Sequence, residues 1–179
     1  MPASLQERLL QGVQNMLSKR GQGKLSPVES KCGYAYTTED SKILLFIPSI
    51  ADGEIEKIKN EQVKYLYFLL ESYGISHAIV PYSAFAPQAY EIIRSHTFYR
   101  VELFKFKHLL FDPTAHKKTP PHNRVPLENI KVELPRIKVK DLPHILDTDP
   151  IVRFYDWSIG DVVRIDRPDG AYYRVVTQE

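Results

Sequence analysis

The chain has 179 residues and a mass of 20.7 kDa, 43% hydrophobic and 26% charged; this excludes disordered and fibrous classes and leaves one large domain or two small ones. Cys32 is the lone cysteine, so neither an intramolecular disulfide nor a thiolate zinc cage is available, and the fold must rest on its apolar core. The net charge of +2, from 24 Lys and Arg against 22 Asp and Glu, is too small to mark a nucleic-acid binder by itself.

In chain order, Ser4 followed by Glu7 is a capping-box pattern, and Leu5, Leu9, Val13, Met16 and Leu17 recur at helical spacing, which predicts an amphipathic helix over 4–20. Its start lacks the basic and apolar regions of a signal peptide, and no stretch approaches the roughly 20 apolar residues that span a bilayer, so neither export nor a membrane span is expected. Residues 21–32 read as a loop, 33–38 as a short strand, and 39–41 as a turn. The apolar run 42–48, closed by Pro48, predicts an interior strand paired with the one before it. A second helix is expected over 54–73 with Gly74 at its end, then a strand over 76–82, a short helix from Pro87 to about Arg94, and a strand over 98–106. Helix, hairpin, helix, strand, helix, strand is an α/β order.

From Asp112 to Pro126 four prolines cluster with His116, Lys117, Lys118, His122 and Arg124, which places a domain boundary there: 1–111 and 112–179. Charge is also spread unevenly along the chain. Residues 1–99 are balanced, residues 100–140 carry 10 positive and 4 negative charges, and residues 141–179 carry 4 and 8. Beyond the boundary, Asp149-Pro150 opens a short helix through Tyr155, and two alternating strands, 160–165 and 171–176, enclose a proline and glycine turn. This α+β module is short enough that it should lean on a neighbour.

The chemistry-bearing residues form no catalytic pattern. Six dispersed histidines offer no zinc spacing, glycines form no phosphate loop, and Cys32 has no activating histidine nearby. Asp40-Ser41-Lys42 has the acid-and-lysine spacing of a magnesium-dependent nuclease strand but lies at a turn. No catalytic residue, metal or cofactor is expected.

One resemblance is specific. Leu142-Pro143-His144-Ile145, Asp149-Pro150-Ile151-Val152-Arg153-Phe154, Gly160-Asp161-Val162-Val163-Arg164-Ile165, Arg167-Pro168 and Tyr173-Arg174, preceded by Thr114-Ala115-His116 and Pro121-His122, resemble the assembly domain of the common subunit five of eukaryotic RNA polymerases and its archaeal counterpart. The first domain resembles the eukaryotic jaw domain more weakly, with Phe85-Ala86-Pro87-Gln88-Ala89 in the place of the family's L-T-P-S-A. The resemblance implies a non-catalytic polymerase subunit whose C-terminal module docks on the largest subunit and whose jaw lies beside downstream duplex DNA.

By carry-over, Ala86, Pro87 and Gln88 would face DNA, and His116 and His122, which open the assembly domain, would belong to the subunit interface. A module short of core should also bury Ile151, Phe154, Trp157, Val163 and Tyr173 against its partner. The alternatives are a polymerase-associated protein that borrows the docking module and, remotely, the nuclease. Departures such as Asp156 for a glycine and a short last turn point to a divergent homologue, either cellular and nuclear or encoded by a large DNA virus and acting in a viral factory or virion.

Overall fold

The computed structural model describes residues 3–178, which divide into two compact units, one ending at Phe111 and the other beginning at Asp112. The first opens with α1 (Leu5–Lys19). Ser4 Oγ accepts from the Glu7 N–H and Glu7 Oε2 accepts from the Ser4 N–H, so both orphan donors are satisfied as the capping box requires. Leu9, Val13, Met16 and Leu17 are buried. Gly12 faces the 3-10 turn Phe106–Leu109, and a Cβ there would overlap the Leu109 carbonyl oxygen.

Strands β1 (Leu25–Val28), β2 (Tyr34–Thr38) and β3 (Ile43–Ile47) follow, then the two-residue strands β4 (Ile50–Ala51) and β5 (Glu54–Ile55), α2 (Asn60–Tyr73), β6 (His77–Tyr82), α3 (Pro87–Ser95) and β7 (Arg100–Lys105). The main sheet has the order β1-β2-β3-β6-β7, antiparallel through β3 and parallel from there. The chain is therefore mixed α and β, as expected. All five residues of β3 are buried, as its continuous apolar run requires at the sheet centre.

Two expectations need correction. The segment 21–32 is not all loop: β1 pairs with β2, and Pro27 is tolerated because β1 is an edge strand. The second helix begins at Asn60 rather than Glu54, because Asp52 and Gly53, both at positive φ, close a tight hairpin between β4 and β5. Ile55 and Ile58 are buried, but from extended backbone.

The second unit comprises β8 (His122–Val125), α4 (Leu127–Glu133), β9 (His144–Leu146), α5 (Pro150–Tyr155), β10 (Val162–Arg167) and β11 (Gly170–Thr177). Its sheet runs β8-β10-β11-β9, with β9 parallel to β11 and the other pairs antiparallel. The Pro-rich segment is thus structural, since it supplies an edge strand. Asp149 caps α5 by accepting from the Ile151 N–H at 2.8 Å. Asp156 ends α5 at φ 60, where the resembled family has glycine; Asp is among the few residues that tolerate the left-handed region.

Candidate interface surfaces

In the first unit, α2 and α3 start side by side. Ile58 and Phe85 form a parallel bridge just before the two helices, with the Ile58 N–H donated to Ala84 O and the Ala86 N–H to Ile58 O, both at 2.9 Å. Asn60 Nδ2 then donates to Gln88 Oε1 at 2.8 Å. Gln88 therefore ties the two helix starts together. The Ala86 N–H is already engaged and Pro87 has none, so at the start of α3 the first N–H without a hydrogen-bond partner among the described residues is that of Gln88. Beside this start stand Lys57 and Lys59, both exposed and neither in an ion pair among the described residues. Sequence reasoning passed over them, because nothing local distinguishes them from other surface lysines.

The same unit buries a charged cluster. Arg20, at the C-terminal end of α1, donates two hydrogen bonds to the Glu102 carboxylate on β7, at 2.9 and 3.0 Å. His77 Nε2 lies 2.6 Å from Glu102 Oε1. The three side chains are 2%, 14% and 12% exposed for Arg20, His77 and Glu102. Burial pushes the Glu102 pKa up, but the His77 hydrogen bond and the Arg20 guanidinium outweigh it and hold the carboxyl at about 2. By contrast, Asp40 and Lys42 sit at an exposed turn and pair with each other at 3.1 Å, while Asp40 also accepts from the Thr38 hydroxyl at 2.6 Å. Chiefly that hydroxyl bond, with help from Lys42, lowers the Asp40 pKa. The arrangement is a self-satisfied turn, off the strand that a nuclease site would need.

In the second unit, the Thr114, Pro120 and His122 signature and α5 converge. Thr114, Pro120, His122, Ile151 and Tyr155 line one cleft of about 200 Å³. Asp112 Oδ1 accepts from both the N–H and the hydroxyl of Thr114, and the His122 Nδ1–H donates to Pro120 O at 2.7 Å, which shapes the wall of the cleft. His116 stays exposed, its Nδ1 accepting from the Lys118 N–H. Among the described residues no group of three or more His, Cys, Asp or Glu could hold a metal.

The expected apolar interface divides in two. Val163 is 0% and Phe154 6% exposed, so these two are packed within the fold and offer almost no surface, contrary to expectation, whereas the little surface that Ile151 keeps, at 7% exposed, lines the cleft. The cause is that the small sheet is covered on both faces by its own chain. Val162 and Val175 pack with Leu134 and Leu142 on one side, while Val163, Ile165 and Val176 pack with Val152 and Ile145 on the other. Adjacent residues of one strand are buried, on opposite faces. Trp157 and Tyr173 remain half-buried. Trp157 stacks on Tyr155 with ring centroids 4.8 Å apart, and the Tyr173 hydroxyl donates to Glu133 Oε2 at 2.8 Å.

The sequence profile of the family described as RNA polymerase Rpb5, C-terminal domain, matches residues 111–177, nearly the whole second unit. The DNA-directed RNA polymerase subunit Rpo5 of Methanococcus maripaludis is 37% identical over 70 residues, covering 35% of this chain and 90% of that protein. This chain belongs to the RNA polymerase subunit five family. Similarity to eukaryotic members extends into the first unit. The subunit rpabc1 of RNA polymerases I, II and III from Dictyostelium discoideum is 29% identical over 141 residues, 75% of this chain and 69% of that protein. Its counterpart RPABC1 in Caenorhabditis elegans is 30% identical over 140 residues, 76% of this chain and 64% of that protein.

Proposed function

We propose that this chain is a non-catalytic subunit of a multisubunit DNA-directed RNA polymerase, with the second unit docking on the largest subunit and the first lying beside downstream duplex DNA. The observation that carries the reading is the convergence of the family's signature residues on one cleft. Thr114, Pro120 and His122, widely separated in sequence from Ile151 and Tyr155, line it together, and concave sites of this kind take an anchoring side chain from a partner. Trp157 and Tyr173, half-buried, supply the amphipathic aromatic surface typical of such contacts.

The DNA reading rests on the paired helix starts at Asn60 and Gln88 with Lys57 and Lys59 beside them. Helix-start N–H groups and two exposed cations suit a phosphate contact that is weak and independent of sequence, as translocating DNA demands. A cellular member would act in the nucleus, and a viral one in a viral factory or virion.

An affinity-tagged chain expressed in its native context should bring down the largest subunit in fixed, salt-resistant stoichiometry. Substoichiometric recovery that washes off in salt would sink the core-subunit reading. Within the assembled polymerase, Lys57→Glu/Lys59→Glu should reduce crosslinking to downstream duplex without changing subunit composition; unchanged crosslinking would remove the DNA contact from this surface.

A further inference from the structure

The segment 127–140, comprising α4 and the turns after it, has two sides with different fates. Ile130, Leu134 and Val139 point into the core of the second unit, where Leu134 is 7% exposed. The residues between them point away from it: Leu127 is 80% exposed, Val132 77% and Ile137 49%. Lys131, Arg136, Lys138 and Lys140 are exposed with them, and none of the four is in an ion pair among the described residues. The anions of the segment and its last turn are Glu128, Glu133 and Asp141, and Glu133 is committed to the Tyr173 hydroxyl and to Arg164, so the four cations outnumber the exposed carboxylates Glu128 and Asp141. Outward, then, the segment combines large aliphatic side chains with a net positive charge.

Aliphatic side chains do not stack on bases, so a single-stranded nucleic-acid reader would use aromatics here. A permanent subunit interface would keep its centre poor in charge. A helix of 7 residues is also short for lying in a membrane surface. We propose that this outward face is a docking site for a transient protein partner, namely a flexible acidic segment in which Asp and Glu alternate with large apolar residues. Its carboxylates meet Lys131, Arg136, Lys138 and Lys140 and steer the encounter, while its apolar side chains cover Leu127, Val132 and Ile137. This goes beyond assembly into the polymerase and assigns the subunit a surface for recruiting a factor.

The test uses the full chain and a labelled synthetic peptide alternating Asp and Glu with Leu and Phe, read by fluorescence anisotropy. Saturable binding is expected, weakened about tenfold or more by Lys138→Glu/Lys140→Glu and, separately, by Leu127→Ser/Ile137→Ser. Both variants should keep the wild-type unfolding midpoint and still bring down the largest subunit. The proposal is overturned if the peptide with Ser in place of Leu and Phe binds equally well, if neither variant weakens binding, or if duplex DNA or phosphatidylserine vesicles bind this face more tightly than the peptide. Loss of the largest subunit in either variant also overturns it, because the face would then be the constitutive interface. A wild-type chain that binds the peptide yet brings down no largest subunit would refute the proposed function and leave this docking face standing.

Discussion

The two units solve the same problem, burying a small sheet, with opposite treatments of charge. The first places Arg20, His77 and Glu102 inside, where Arg20 is 2% exposed, and joins α1 to the edge strand β7 through them. The second keeps its ion pairs at the surface, as in Arg164 with Asp166 at 2.7 Å and Arg124 with Asp161 at 3.7 Å, and fills both faces of its sheet with aliphatic side chains. A buried pair fixes one geometry but is costly to break, whereas exposed pairs contribute little either way. Electrostatic sensitivity should therefore reside in the first unit, and packing sensitivity in the second.

The largest effect that separates them is expected from Glu102→Gln, which removes the buried carboxylate that Arg20 and His77 share. Loss of about 3 kcal/mol or more of unfolding free energy is expected, measured by chemical denaturation, and a loss below about 1 kcal/mol would show that Arg20 escapes to water. The same carboxyl makes the first unit acid-labile. Its folded pKa of about 2 lies below the usual 4.5, so its stabilisation is complete above pH 4.5 and declines as pH falls from there toward 2, by roughly 3 kcal/mol in all. Glu102→Gln should flatten that part of the stability profile; an unchanged acid slope would place the acid response in other groups.

Next in size, Val163→Ala should cost about 2 kcal/mol through a cavity in the second unit. Since Val163 reaches no surface, assembly with the largest subunit should persist wherever the unit stays folded. Trp157→Ala should do the reverse, weakening co-purification more than stability; if the two variants behaved alike, the division between packed and contacting residues would fail. The smallest effect is expected from Asp166→Asn, whose partner Arg164 is well exposed. No resolvable shift in the melting midpoint is expected, and a large one would mean that the second unit also depends on charge.

Elements whose signals are local were legible in the sequence. The capping residues Ser4 and Glu7, the apolar run of β3, Gly74 after α2 and Asp149-Pro150 before α5 each act within a few residues, and each stands where its chemistry predicts. Elements defined by pairing were not. β1 is a strand only because β2 lies beside it, β8 because of β10 and β9 because of β11. The strands β4 and β5 are only two residues each, too short for a periodicity of their own, and Ile55 and Ile58 are spaced as on a helix, which is why the second helix was expected to begin at Glu54. For the candidate interface, residue types were readable while burial was not. Val163 was expected at the interface because the module is short, but with Val152 of α5 packed on it the side chain is buried within the unit.

Gly12 shows the same limit from another side. In the middle of a helix it looks like a flaw, since glycine there costs about 1 kcal/mol relative to alanine, and a designer would be tempted to replace it. The carbonyl of Leu109 occupies the space where any side chain would begin. In a library of all single substitutions, position 12 should therefore stand out as an intolerant site on a helix whose exposed positions, such as Gln11, accept change freely. The chain gives up helix propensity at one residue so that two stretches of backbone can touch.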